Sequence, residues 1–384
     1  MPSPKPAGIY IHLPFCLRKC PYCDFYSEIG TPDRRQSFLA ALHGELVLRA
    51  RRDLAVDSIY FGGGTPSLFT PAQIGGLIDG IRASFRLSPD SEITLEANPG
   101  TVSRDKLQGF RAAGINRLNL GIQSFNDRNL VFLGRIHDAA TARRALTAAR
   151  AAGFENIGLD LIYGLPGQEP ANWRADLHAA LETAPSHLSG YMLTYAPGTP
   201  LEADRIAGRI RPLSEAAVAD LFDITVDVLT ENGFVHYEIA NFARAGNPPA
   251  WSRHNRKYWN QAPYLGFGPG AHSYDGRVRC WNDADLDAYR QALESGHPPP
   301  GGEEILTREQ RMIEALFLGL RQTAGIDIQE FETRFAVQFV ELFGPALTDL
   351  AGMGLATLEK GFCRLTRSGL LVADAAAARL AACD

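Results

Sequence analysis

The chain has 384 residues, 45% of them hydrophobic and 21% charged, with a formal net charge of −5. That composition is ordinary for a globular protein with a sizeable core, and its negative balance excludes a general attraction to nucleic acid or to an acidic membrane surface. No apolar run is long enough for a membrane span, the opening Met1-Pro2-Ser3-Pro4-Lys5 lacks a signal-peptide core, and the scattered Cys280, Cys363 and Cys383 suggest no disulfide framework, so a soluble protein of a reducing cytoplasm is expected.

The first element is the strand Gly8-Ile9-Tyr10-Ile11-His12, which runs directly into Cys16-Leu17-Arg18-Lys19-Cys20-Pro21-Tyr22-Cys23. Three thiols in one short loop form a soft tripod, suited to an iron–sulfur cluster or to zinc. A closed structural zinc site needs four ligands. No fourth cysteine follows nearby, so zinc would require His12 or a remote residue. Three thiolates on a four-iron cluster instead leave one iron open. The loop reads as a metal site, and an open one.

Strands and helices then alternate. A helix over Asp33 to Ala50 precedes a strand over Val56 to Phe61, which enters Gly62-Gly63-Gly64-Thr65-Pro66. A helix from about Pro71, a strand over Glu92 to Glu96 and a helix from Ser103 to a stop at Gly114 follow. Arg117 to Gln123 is the fourth strand. Helices near Asn126 to Leu133 and Asp138 to Ala152, the latter stopped by Gly153, lead to a fifth strand over Asn156 to Tyr163. A helix from near Pro170 precedes the sixth, His187 to Tyr195. This alternation predicts an α/β fold with a parallel sheet and right-handed crossovers, a partial (β/α)6 barrel.

One face of each strand is apolar and the other mixed. Ile93 and Leu95 alternate with Thr94 and Glu96; Leu118, Leu120 and Ile122 alternate with Asn119, Gly121 and Gln123; Leu159 and Leu161 flank Asp160. Side chains alternate across a strand, so the polar set faces the lumen. A polar lumen near the C-terminal strand ends is where barrels hold ligands.

Further on, Arg253-His254-Asn255-Arg256-Lys257-Tyr258-Trp259 lies in a Gly/Pro-rich stretch that runs to Gly270-Ala271-His272. A histidine here stands beside the flat apolar faces of Tyr258 and Trp259 and among the cations Arg253, Arg256 and Lys257. Pro298-Pro299-Pro300-Gly301-Gly302 reads as a linker. Beyond it come an amphipathic helix Arg308 to Leu320, helices near Ile328 and Phe339, and a hairpin over Gly354 to Leu365, a winged-helix-like α+β unit without a basic recognition helix. The expected division is 1–235 for the barrel, 236–300 for the extension and 301–384 for the C-terminal domain.

The Cys-x3-Cys-x2-Cys spacing resembles that of the radical S-adenosylmethionine (SAM) superfamily. Together with Tyr10 to Cys16, Gly62 to Pro66, Leu95 to Gly100, Gly121 to Phe125 and Asp160 to Pro166, it is similar to the HemN/HemW group: the oxygen-independent coproporphyrinogen III oxidases and the related heme chaperones. The resemblance implies a [4Fe–4S] cluster on Cys16, Cys20 and Cys23, with SAM on its open iron. It places SAM against Tyr10, Tyr22, Gly63, Gly64, Thr65, Glu96, Gln123, Arg135, Asp160 and Ala196, and implies one-electron cleavage of SAM to a 5′-deoxyadenosyl radical. In the oxidases the cysteine motif continues to a fourth cysteine, where this chain has Phe25. His254, Asn255, Tyr258 and Trp259 fit the heme-binding signature of the chaperones; that likeness implies a neutral imidazole on the haem iron, with His272 and His12 as rival ligands, Tyr258 and Trp259 against the macrocycle, and Arg253, Arg256 and Lys257 toward the propionates. The favoured expectation is a heme chaperone serving acceptor hemoproteins, with an electron donor for the cluster and room for peripheral membrane association. An anaerobic coproporphyrinogen III oxidase and a different radical-SAM enzyme are the alternatives.

Overall fold

The computed structural model describes residues 5–246 and 248–382; the opening residues 1–4 and Cys383 lie outside them. Six strands lie side by side, parallel and in chain order: β1 (Ala7–Leu13), β2 (Arg51–Gly63), β3 (Phe85–Ala97), β4 (Arg117–Gln123), β5 (Asn156–Tyr163) and β6 (His187–Met192). Beyond β6 the hairpin β7 (Phe234–Glu238) and β8 (Asn241–Arg244) continues the sheet antiparallel. On the other side β9 (Tyr264–Phe267) pairs parallel with β1, and β10 (His272–Tyr274), β11 (Val278–Asn282) and β12 (Gly301–Ile305) extend it antiparallel. The order of the sheet is linear, so the six-unit barrel is partial and open, as the alternation predicts.

The crossover helices begin where their caps place them. Thr31 accepts the Arg34 N–H ahead of Pro32–Leu48, Thr70 and Gln73 form a reciprocal capping box ahead of Pro71–Ser84, and Ser103 caps Arg104–Ala112. The helices cover the apolar strand faces, and Ile59, Phe61, Ile93, Leu95, Leu118, Leu120, Leu159 and Leu161 are all buried in one core. Arg117, Asn119, Thr94 and Ser189 are buried on the opposite, lumenal face.

Several boundaries differ from expectation. The first helix ends at Leu48, and β2 starts at Arg51 because its exposed, charged first turns are held by pairing with β3 rather than by burial. β6 ends at Met192, three residues early. The presumed linker enters β12, with Gly301 and Gly302 paired to Asn282 and Trp281. A Cβ on Gly301 would lie 1.9 Å from the Trp281 carbonyl oxygen, so glycine permits the pairing here rather than breaking the strand.

The C-terminal part runs helix Arg308–Leu320, β13 (Ile326–Asp327), helices Ile328–Phe335 and Phe339–Gly352, then β14 (Ala356–Glu359) and β15 (Phe362–Leu365), the order of a winged helix. Phe331, Phe335, Phe339 and Phe343 form its aromatic core. Arg321 ties it to the barrel, its Nε 2.9 Å from the buried Glu238 carboxylate on β7.

Candidate cofactor site at the open end of the barrel

The cysteine loop and the C-terminal strand ends enclose a cavity of about 440 Å³. The loop is closed at its base, where the Cys16 N–H donates to Glu28 O (2.9 Å) and the Glu28 N–H to Pro14 O (2.8 Å). The glycine turn after β2 is zipped to the same segment: Gly64 N–H donates to Leu13 O at 2.9 Å and Thr65 N–H to Phe15 O at 2.7 Å. Those donors are committed, so what the turn has left to offer a ligand is its carbonyl oxygens. Gly63 takes φ +106°, and a Cβ there would strike the His12 ring at 2.7 Å.

All three thiols are free and half-buried. The Thr65 hydroxyl lies 3.5 Å from Cys16 Sγ and the Arg135 guanidinium 3.6 Å from Cys20 Sγ. Among the described residues no three Cys, His or carboxylate groups are placed to hold a single ion. Three free thiols on one short loop are a soft donor set of the kind an iron–sulfur cluster takes. His12 is not aimed at the thiols. Its Nδ1 is 3.0 Å from the Tyr10 hydroxyl and its Nε2 2.9 Å from Tyr26 O.

The cavity floor is acidic. Burial pushes Glu96 up to about 7, against the pull of the Tyr60 hydroxyl that donates to it at 2.7 Å. Burial likewise raises Asp160, whose Oδ2 accepts from Asn119 Nδ2 at 2.6 Å and whose Oδ1 has no partner. Such orphaned acceptors call for donors such as ribose hydroxyls or an ammonium. Gln123, at φ +69°, is forced into the left-handed region where the β4–β5 register shifts, and its Oε1 is buried and unpartnered. A strained residue at a bulge beside a cavity is a re-aimed side chain.

Nine of the ten expected SAM residues line this cavity: Tyr22, Gly63, Gly64, Thr65, Glu96, Gln123, Arg135, Asp160 and Ala196. Tyr10 does not. It lies a layer deeper, stacked 6.2 Å from Tyr60. Asn98, Asn119, Tyr191 and Met192 also line it; of these the sequence reading placed only Asn119 in the lumen, and it assigned none of the four to the ligand. Strand parity marks Asn119 and Tyr191 as lumenal; nothing local marks Met192.

The His254 group lies elsewhere. Helix Arg253–Trp259 packs against the lower barrel, where Glu92 accepts the N–H groups of Arg253 (3.1 Å) and His254 (3.0 Å). His254 is 1% exposed, with Nδ1 3.0 Å from Ser58 Oγ and Nε2 2.9 Å from the Tyr258 hydroxyl. Burial, with Lys257 and Arg117 adding to it, pushes its pKa down to about 3, so the ring is neutral. Both nitrogens are engaged, and in this conformation no macrocycle reaches them. The expected propionate partners are engaged too. Lys257 Nζ sits 2.6 Å from Asp57, Arg253 donates to the Asp57 and Asp90 carbonyls, and Arg256 lies over the Trp251 ring at 4.0 Å. Asn255 is half-buried, and Trp259 lies under Arg321 at 4.6 Å. His272 stacks on Trp281 at the far flank.

A cysteine tripod at the open end of a partial barrel defines a radical-SAM protein, and the family model described as the radical SAM superfamily matches residues 10–180, while the HemN C-terminal domain matches 306–372. A solved structure described as coproporphyrinogen III oxidase (HemN) from Escherichia coli, a radical SAM enzyme, is similar with a TM-score of 0.83 and 27% identity, covering 99% of this chain and 91% of that one. Heme chaperone HemW of Bacillus subtilis (strain 168) is 36% identical over 369 residues, 95% of this chain and 96% of that protein. Heme chaperone HemW of Escherichia coli (strain K12) is 39% identical over 284 residues, 71% of this chain and 72% of that one. The chain belongs to the HemW family of radical-SAM proteins. A [4Fe–4S] cluster and SAM are the cofactors that this superfamily implies.

Proposed function

We propose that this protein is a heme chaperone: it binds heme and passes it to acceptor hemoproteins, and it carries a [4Fe–4S] cluster on Cys16, Cys20 and Cys23 with SAM in the adjoining cavity. What carries the reading is the lip of that cavity. Phe25, not a fourth cysteine, stands beside the tripod, 64% exposed and lining the opening. When bound, the cluster and SAM supply one-electron chemistry, and the chain orients them. Glu96 and Asp160 receive the ammonium and ribose donors, Gln123 re-aims an amide toward the same ligand, and Arg135 and Thr65 hold donors on two thiolates. An external electron donor serves the cluster, and acceptors bound to a membrane would bring the chaperone to its surface. No helix among the described residues is long and apolar enough to cross a membrane, and a reducing cytoplasm suits the free thiols.

Decarboxylation of coproporphyrinogen III is the second reading, favoured by the likeness to HemN over 99% of the chain. Anaerobically purified, cluster-loaded protein given heme and coproporphyrinogen III separately tests the two. A stable heme complex that loads an apo-hemoprotein, with no decarboxylation, supports the chaperone. Conversion to protoporphyrinogen IX would sink it.

A further inference from the structure

A positive charge lies beneath the acidic floor, and no direct contact accounts for it. Arg117, at the start of β4, is 1% exposed; its Nε and Nη1 have no hydrogen-bond partner, and it makes no ion pair among the described residues. A guanidinium is always charged, and a buried charge needs an opposite one near it. Strand register shows where that opposite charge lies. Arg117 stands opposite Thr94 on β3, one lumenal position below the rung formed by Glu96, Asn119, Gly158 and His187. Gly158 leaves a gap in that rung, and the guanidinium enters it. A Cβ on Gly158 would lie 3.3 Å from Arg117 Nη2 and 3.5 Å from His187 Nδ1, and would strike Asn119 Oδ1. Asn119 in turn donates to Asp160 at 2.6 Å. The cation therefore reaches into the layer of Glu96 and stands one side chain away from Asp160.

We propose that Arg117 is a positioning residue of the SAM site: its guanidinium keeps Glu96 and Asp160 ionised, so that both offer only acceptors to the N–H and O–H donors and the sulfonium charge of the ligand. The proposal rests on the reading of the cavity as a SAM site. An ionised carboxylate is acceptor-only, whereas a protonated one turns a donor of its own toward those groups. Burial drives both carboxyls toward the neutral form, and Arg117 opposes it at each of them. Arg135 assists at Asp160 from the side of the cysteine loop. The other groups facing the floor hold one charge state near neutral pH. Burial raises Tyr10, Tyr60, Tyr191 and Tyr258, which stay protonated, and it keeps His187 and His254 neutral. Glu92, further down β3, is engaged by the N–H groups of Arg253 and His254.

Two measurements on the full-length chain test the assignment. One is equilibrium binding of radiolabelled SAM to the anaerobic, cluster-loaded protein across neutral pH. The other is the carboxyl carbon-13 NMR titration of glutamate in the cluster-free protein, with Glu96→Gln identifying the Glu96 signal. In the wild type the Glu96 signal turns over at about 7, and SAM affinity rises through the same range. Arg117→Met is expected to move both midpoints up by roughly one unit. The smaller ionised fraction then weakens binding about fivefold at neutral pH. The amino group of SAM titrates alike in every comparison, so the difference between variants reports the protein. Arg117→Lys keeps the charge and is expected to bring the midpoints most of the way back. Arg117→Gln, with amide donors and no charge, carries the same expectation as Arg117→Met and replaces it if the apolar variant does not fold. A merely structural role would weaken binding at every pH and leave the midpoints in place. That result, or uncharged variants with wild-type midpoints, overturns the assignment while the SAM site stands. If the wild type loads its cluster yet binds no SAM, the reading of the cavity fails and the assignment with it.

Discussion

Gly64→Ala probes what places the three thiols. The N–H groups of Gly64 and Thr65 fasten the glycine turn to the segment entering the cysteine loop, at 2.9 Å and 2.7 Å. A methyl on Gly64 would lie 2.6 Å from Phe15 O and 2.7 Å from Phe15 N, and backbone atoms cannot swing aside as a side chain does. Relief requires the turn and the loop to separate, which stretches both hydrogen bonds. Overpacking costs about 1–3 kcal/mol, and two weakened hydrogen bonds add about 1 kcal/mol each. A loss of about 3–5 kcal/mol results, a large part of the roughly 5–15 kcal/mol that holds a native fold. Guanidinium unfolding of the cluster-free chain measures the first effect, and iron and sulfide content after reconstitution the second, which is expected to be low. Gly44→Ala is the control: inside helix Pro32–Leu48 a methyl there meets nothing within 4 Å, and it should stabilise by roughly 0.5–1 kcal/mol. A Gly64→Ala protein within about 1 kcal/mol of wild type that loads its full cluster would refute the zipper as the positioning device.

Glu96 makes stability depend on pH. Its folded pKa of about 7 stands above the ordinary 4.5, so the folded chain holds a proton that the unfolded chain releases. That contribution is complete below about 4.5, fades as pH rises through about 7, and amounts to up to about 3 kcal/mol; comparing the pH dependence of unfolding midpoints with that of Glu96→Gln isolates it, and equal slopes would contradict it. Arg321→Met strands the buried Glu238 carboxylate and should lower stability by about 3–5 kcal/mol, with the added Glu238→Gln change recovering most of it in thermal or denaturant unfolding. Cys20→Ser should lose the iron–sulfur absorbance after reconstitution yet keep the cluster-free chain within about 1 kcal/mol of wild type, because the thiol is only half-buried.

The barrel was legible because its strands carry two periodic messages at once. Ile93 and Leu95 against Thr94 and Glu96 state both a strand and the direction of its polar face, and the buried and lumenal sets follow that parity. Parity says nothing of depth along the strand. Tyr10 is on the lumenal face as expected but one layer beneath the cavity. The same blindness governs His254. Its residue type and aromatic neighbours suggest a haem ligand, whereas its contact with Ser58 joins residues 196 apart in sequence. β9 to β12 were missed because they are short and only partly buried, and their pairing is made by glycines that a sequence reads as breakers.

The lumen is therefore built in two storeys that communicate. Glu96 belongs to the upper one, and the Tyr60 hydroxyl that it accepts belongs to a ring lying 5.3 Å from His254 in the lower one. His254 in turn holds Tyr258 and Ser58, and Gly8 on β1 is bare because a Cβ there would meet Lys257 at 2.8 Å and His254 at 3.0 Å. Helix Arg253–Trp259 thus closes the barrel from below and sets the ring that supports the acidic floor. Removing the imidazole would leave two buried hydroxyls without a partner and a void under Tyr60, a destabilisation of about 2–5 kcal/mol. Loss of heme on His254→Ala would report that collapse as readily as a lost iron ligand.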